Sequence, residues 1–159
     1  MQDALVKVTF EHGLELLYRE HGGRLWRAVM AFAGDREVAN DAVAEAFAQA
    51  LRRGDELRDP LAWVWKAAFR IAAGELKERG RFSEASPERA YESGEPLMDL
   101  LAALGKLSAK QRAAVVLHHY AGYPVAEVAD IVGSTAGAVK VHLMRARAKL
   151  RDLLGESDG

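Results

Sequence analysis

Apolar residues recur through this chain at intervals of three and four, the period of helices that bury one face. Phe10, Leu14 and Leu17 begin the pattern, and Leu25, Val29 and Phe32 continue it beyond Gly22–Gly23, which reads as a break between two helices. Gly34 ends the second of these, and Asp35 is placed to cap the next. There Ala39, Ala42, Val43, Ala46, Phe47 and Ala50 form a broad face of mostly small side chains. Asp59 followed by Pro60 gives a cap and a first-turn proline, opening a helix from Leu61 to Arg79. The first half therefore predicts a bundle of four helices.

The middle breaks the pattern. Gly80 to Pro96, GRFSEASPERAYESGEP, has no apolar period and is rich in Gly, Ser, Pro and Glu. Such a segment buries too little surface to offset the entropy of ordering it, so it predicts a flexible linker. Helical signals then resume. Leu97, Leu100, Leu101 and Leu104 make a short amphipathic helix closed by Gly105, and Ser108 with Gln111 has the spacing of a capping box. The helix it opens uses Ala113, Val116, Leu117 and Tyr120. No alternating strand pattern with hairpin dipeptides occurs, so the expected fold is all-α. The predicted organisation is two small helical domains, residues 8–81 and 97–154, joined by a linker over 82–96.

The most specific pattern lies between Ala121 and Arg151. Pro124 suits the first turn of a helix, and Val128, Ile131 and Val132 give that helix an apolar side. Gly133 can take the left-handed conformation that ends it, and small Ala129 permits a close helix crossing. Thr135 is a candidate N-cap for a second helix, whose buried stripe is Val139, Leu143, Ala146 and Leu150. Its other side carries Gly137, Val141, Met144 and Ala148, flanked by Lys140, Arg145, Arg147 and Arg151. From Gly133 through Arg151 there are five Lys or Arg and no acid. A solvated face usually mixes both signs, whereas an apolar centre with cationic edges suits a major groove, with phosphates at its rims. The pattern predicts a DNA-binding helix-turn-helix; the plainer alternative is a basic helix that closes a bundle or meets a protein.

Composition refines this. Within 159 residues there is no cysteine, which excludes disulfides and thiolate metal sites and suits a reducing cytoplasm. No apolar run is long enough for a membrane span, and MQDALVKVTF lacks the pattern of a signal peptide. The formal net charge of −1 conceals an uneven distribution, with eight basic and five acidic residues over 100–159. Cations are thus concentrated locally, and so weak an overall charge argues against tight independent binding to arbitrary DNA.

Leu107 to Leu154 resembles region 4 of an extracytoplasmic-function (ECF) sigma factor of RNA polymerase. Phe10 to Arg81 resembles region 2 of that family, through GDREVANDAVAEAFAQAL and DPLAWVWKAAFRIA. The resemblance implies a factor that directs core polymerase to promoters by reading their −10 and −35 elements. Its implied partners are core polymerase (the β′ coiled coil and the β flap), promoter DNA and an anti-sigma protein, with no cofactor and no membrane insertion. It also implies roles for individual residues. The run Asn40, Asp41, Ala44 and Glu45 would dock on the β′ coiled coil, with Ala44 standing where the family usually has glutamine. Trp63, Trp65, Lys66 and Arg70 would help open the −10 element, aromatic faces stacking on an unpaired base while cations hold the strand. Arg70 stands where asparagine is common, and at least one of Trp63, Trp65 and Phe69 is expected in the core. The −35 contacts would be Lys140, Val141, Met144 and Arg145, with His142, Arg147 and Thr135 beside them. Val141 replaces a common serine and His142 a common arginine, which implies a distinct −35 preference, with a thymine methyl beside Val141. Arg145 is the candidate for a bidentate guanine contact.

Other chemistry finds little support. His118 and His119 are adjacent and so diverge on a helix, a poor metal pair better read as a helix end or surface position. No HExxH, phosphate-binding glycine loop or nucleophile elbow occurs, and the expectation is a protein with no enzymatic activity of its own. Two rivals stand beside the sigma reading. A stand-alone helix-turn-helix regulator should dimerise and hold duplex DNA unaided. A sigma-shaped adaptor would have no promoter recognition.

Overall fold

The computed structural model describes residues 2–80 and 96–155. The segment 81–95, where the sequence predicts a linker, lies outside the described residues. The architecture is all-helical there, and each boundary has a local cause.

Helix α1 runs over Gln2–Ala33 and passes through Gly22–Gly23 without interruption, so the predicted break does not occur. Two glycines cost a helix roughly 1 kcal/mol each relative to alanine, which burial of the flanking Leu25, Val29 and Phe32 outweighs. Gly22 also has a packing role. A Cβ there would lie 3.4 Å from the Tyr18 ring, whose edge-to-face contact with Phe47 ties α1 to the second helix. Among its described residues the N-terminal half thus holds three α-helices and one short 3₁₀ turn, rather than four helices.

Gly34, at φ 66°, stops α1, and its N–H bonds the Met30 carbonyl. Asp35 Oδ1 then accepts from the N–H groups of Glu37 (2.9 Å) and Val38 (3.2 Å) and starts α2, Arg36–Arg53. The buried face of α2 is Val38, Ala39, Ala42, Val43, Ala46, Phe47 and Ala50, whose mostly small side chains let its neighbours approach closely. A 3₁₀ turn at Gly54–Glu56 leads to Asp59, which caps α3, Pro60–Glu78, through the N–H of Ala62. Phe69 on α3 is fully buried, edge-on to Phe32 of α1 at 5.4 Å.

The C-terminal half holds α4 (Pro96–Gly105), α5 (Ala109–Val115), α6 (Val125–Val132) and α7 (Ala136–Gly155). Ser108 and Gln111 form the full reciprocal capping box at the start of α5. Its far end widens into a π turn over Val116–Tyr120. One hydrophobic core runs through both halves: α5 and the π turn pack on α1, and α6 packs on α3. Tyr123 meets Phe69 edge-on across this junction, with ring centres 6.4 Å apart. Arg112, only 2 % exposed, crosses it too. Its Nε donates to the Phe32 carbonyl at 2.9 Å and its Nη2 to the Ala33 carbonyl at 3.1 Å. These carbonyls belong to the last turn of α1, which has no further turn to supply donors, so a side chain distant in sequence closes that helix.

Candidate nucleic-acid interface

Helices α6 and α7 with the turn between them form the predicted helix-turn-helix. Pro124 precedes α6 as its N-cap residue, one position before the expected first turn. Gly133 is left-handed at φ 69°, ψ 47°, and ends α6 as expected. Thr135 Oγ1 accepts from the N–H of Ala138 at 3.1 Å, which fixes the start of α7. Val139, Leu143 and Ala146 are buried, and Leu150 packs against the core. Ala129 is buried on α6, which packs on α7.

This anchoring leaves one face of α7 open to solvent. Val141 is 39 % and Met144 62 % exposed, and Lys140 and Arg145 are exposed beside them. These two apolar side chains therefore stand largely in solvent, flanked by cations on the same helix. The other predicted −35 residues are more constrained. Thr135 uses its hydroxyl as the cap. His142 is half-buried, and burial, followed by the charges of Lys110 and Arg145, pushes its pKa down. Arg147 Nε donates to His119 Nε2 at 3.1 Å. His118 Nδ1 turns elsewhere, donating to the Tyr123 carbonyl at 2.9 Å, although the two imidazoles touch edge-to-face.

On α3, Trp63 and Trp65 are half-buried against the core while Phe69 is wholly inside, so Phe69 is the core member of the three. Arg53 lies over the Trp63 ring at 5.3 Å, a cation–π contact at the end of α2. Lys66 and Arg70 point towards α6. Lys66 Nζ is 3.8 Å from Glu127 and 4.0 Å from Asp130, and Arg70 Nη2 hydrogen-bonds Asp130. Neither these acids nor Arg112 stand out in the sequence, because their partners lie 60 and about 80 residues away.

On α2, Asp41, Ala44 and Glu45 are exposed on one side, away from the buried stripe. Glu45 accepts hydrogen bonds from Gln49 (3.1 Å) and Arg52 (2.9 Å), and these bonds hold its pKa down. Asn40 is engaged by its neighbour, accepting from the Trp26 indole N–H at 2.7 Å. Behind Asp41 lies Glu75, whose carboxyl pKa is raised by burial first and by the Asp41 charge second.

Comparison with known proteins points to one family. The family described as Sigma-70, region 4 matches residues 97–150. The ECF RNA polymerase sigma factor SigL of Mycobacterium tuberculosis is 30% identical, over 90% of this chain and 89% of its own length. CnrH, solved in complex with the cytosolic domain of CnrY, is 28% identical with a TM-score of 0.61, over 98% of this chain and 96% of its own. RpoE of Bartonella quintana, solved with the anti-sigma factor NepR, shares the fold at a TM-score of 0.64 and 24% identity, over 92% of this chain and 97% of its own.

Proposed function

The chain belongs to the ECF RNA polymerase sigma factors, and on that premise we propose how its residues divide the work. It directs core RNA polymerase to promoters, where transcription starts. Residues 97–154 serve as the −35 reader and meet the β flap. Arg145 pairs with a guanine, Val141 and Met144 face base edges, and Lys140, His142 and Arg147 line the backbone, with Thr135 at the helix start. Residues 8–81 serve the −10 element and the enzyme. Trp63 and Trp65 stack on unpaired bases, Lys66 and Arg70 neutralise the strand, and Asp41, with Glu45 and Ala44, docks on the basic β′ coiled coil. The segment 82–96 joins the two parts. The polymerase performs the bond-making chemistry, so this chain needs no catalytic group or cofactor, and it works in the cytoplasm. An anti-sigma protein is a further proposed partner. No described helix is long and apolar enough to cross a membrane.

The observation that carries this reading is the open face of α7, with exposed Val141 and Met144 between Lys140 and Arg145. The test is transcription from a library of promoter fragments with purified core polymerase. Specific start sites are expected only when chain and core enzyme are both present. A tight footprint on duplex DNA by the chain alone, at physiological salt, would replace this reading with that of a stand-alone regulator.

A further inference from the structure

The cations assigned to the −10 strand are already occupied, and by the same chain. Lys66, Arg70 and Lys77 are spaced by four and seven residues on α3 and so share one face. Opposite them, Glu127, Asp130 and Gly133 are spaced by three along α6. Lys66 faces Glu127 and Asp130, and Arg70 is bonded to Asp130. Lys77 reaches the end of α6, where its Nζ lies only 2.6 Å from the position of a Cβ built on Gly133. That end carries the negative pole of the helix. Charge therefore matches charge along the contact in a single register.

We infer that α6 acts as an internal competitor for promoter DNA, covering the −10 face of α3 in the free chain. The inference rests on the assignment of α3 to the −10 strand. One set of ammonium and guanidinium groups cannot neutralise Glu127 and Asp130 and a row of phosphates at once. The exposed pairs are individually weak. Buried Arg112 and the Tyr123–Phe69 contact hold the halves together, while the ladder of pairs sets their register and supplies the part that salt weakens. The closure is selective. Asp41 on α2 and Val141, Met144 and Arg145 on α7 remain exposed while Lys66 and Arg70 are engaged. Polymerase docking and −35 contact are thus available to the closed form, and −10 contact requires α6 to leave.

Two measurements test this. The chain has no cysteine, so Glu56→Cys with Asp152→Cys places one spin label on each half. The expected result for the full chain is a single narrow distance distribution. It should broaden on adding Asp130→Lys and narrow again on adding Arg70→Glu to that variant. In the unlabelled chain, Glu127→Gln with Asp130→Asn should tighten binding to an oligothymidine single strand at least about tenfold, as expected when the population of a binding-competent minor form rises by that factor. The same charge change at Asp99→Asn with Asp152→Asn should have much less effect. A broad distribution in the parent chain, or distances unmoved by Asp130→Lys, would overturn the closure. Oligothymidine affinities that rise equally in the two charge-matched variants would overturn the competition. Loss of promoter-specific transcription with core enzyme, despite the expected distances, would instead count against the assignment of function.

Discussion

Arg147 and His119 are joined by a hydrogen bond in which the guanidinium Nε donates to imidazole Nε2 at 3.1 Å. The acceptor nitrogen must be unprotonated, so the bond exists only while His119 is neutral. Burial first, then the charges of Arg147 and His118, hold its pKa below the ordinary 6.5.

The sign of the pH dependence follows. The folded chain binds fewer protons here than the unfolded chain, so stability contributed at His119 is intact above pH 6.5 and declines as pH falls through that value. His142 shifts in the same direction. The urea midpoint should fall between pH 7.5 and 5.5, and His119→Gln, whose amide oxygen can still accept, should fall less. Equal slopes in the two proteins would show that the Arg147 bond has no part in it.

Replacing Arg112 tests the junction from its buried side. Burial pushes this guanidinium down to about 10, so it is still charged at neutral pH while it donates to three carbonyls, those of Phe32, Ala33 and, at 3.5 Å, Leu107. Arg112→Met should lower stability by about 2–4 kcal/mol, since each buried acceptor left without a donor costs about 1–3 kcal/mol. Arg112→Lys should recover little, because an ammonium lacks the planar fork that reaches the Phe32 and Ala33 oxygens together. Equilibrium urea unfolding measures both. A loss below about 1 kcal/mol in Arg112→Met would mean that water replaces the side chain at the end of α1.

These two residue pairs mark what the sequence could and could not disclose. Caps are local, so Asp35, Asp59, Ser108 with Gln111, Gly133 and Thr135 were all readable from their neighbours and sit as expected. The stripe of α7 was readable because one helical period governs all four of its members. Gly22–Gly23 misled, since helix propensity is a weak local preference and the buried residues after it decide the outcome. Arg112, Glu127 and Asp130 gave no local signal. Their meaning lies in partners on the other half of the chain, which periodicity does not encode.

On α7 the two neighbouring arginines should behave differently. Arg145→Ala should weaken −35 recognition by about 1–3 kcal/mol, roughly ten- to hundredfold, and relax preference at one base pair. Arg147→Ala should weaken all sequences alike and reduce the dependence on salt, as expected for a backbone contact. Transcription from a randomised −35 library separates them. Unchanged base preference with Arg145→Ala would remove that residue from base reading.

Asp41 and Glu45 differ in how freely they can meet a partner. Glu45 is held by Gln49 and Arg52, so Asp41 is the more available of the two acids. Asp41→Lys should cost several kcal/mol in affinity for core polymerase, because like charge then faces the basic coil. Stability of the free chain should change by less than ~0.5 kcal/mol, with a slight gain as Glu75 loses a repulsive neighbour. Titration with core enzyme, beside thermal unfolding, tests both. Full affinity in a well-folded variant would place the docking surface elsewhere.

Helix α1 is longer than the bundle it serves. Its 32 residues span about 48 Å, against about 27 Å for the 18 residues of α2. Among its described side chains the first buried one is Leu14, and Leu5 is 73 % exposed. The opening turns therefore draw their order from continuity with the packed remainder, and they can fray without disturbing it. Amide hydrogen exchange along α1 should rise to a plateau, fast before Phe10 and slowest from Leu25 to Phe32. That makes the start of this helix a margin that can unwind and rewind while the core stays shut.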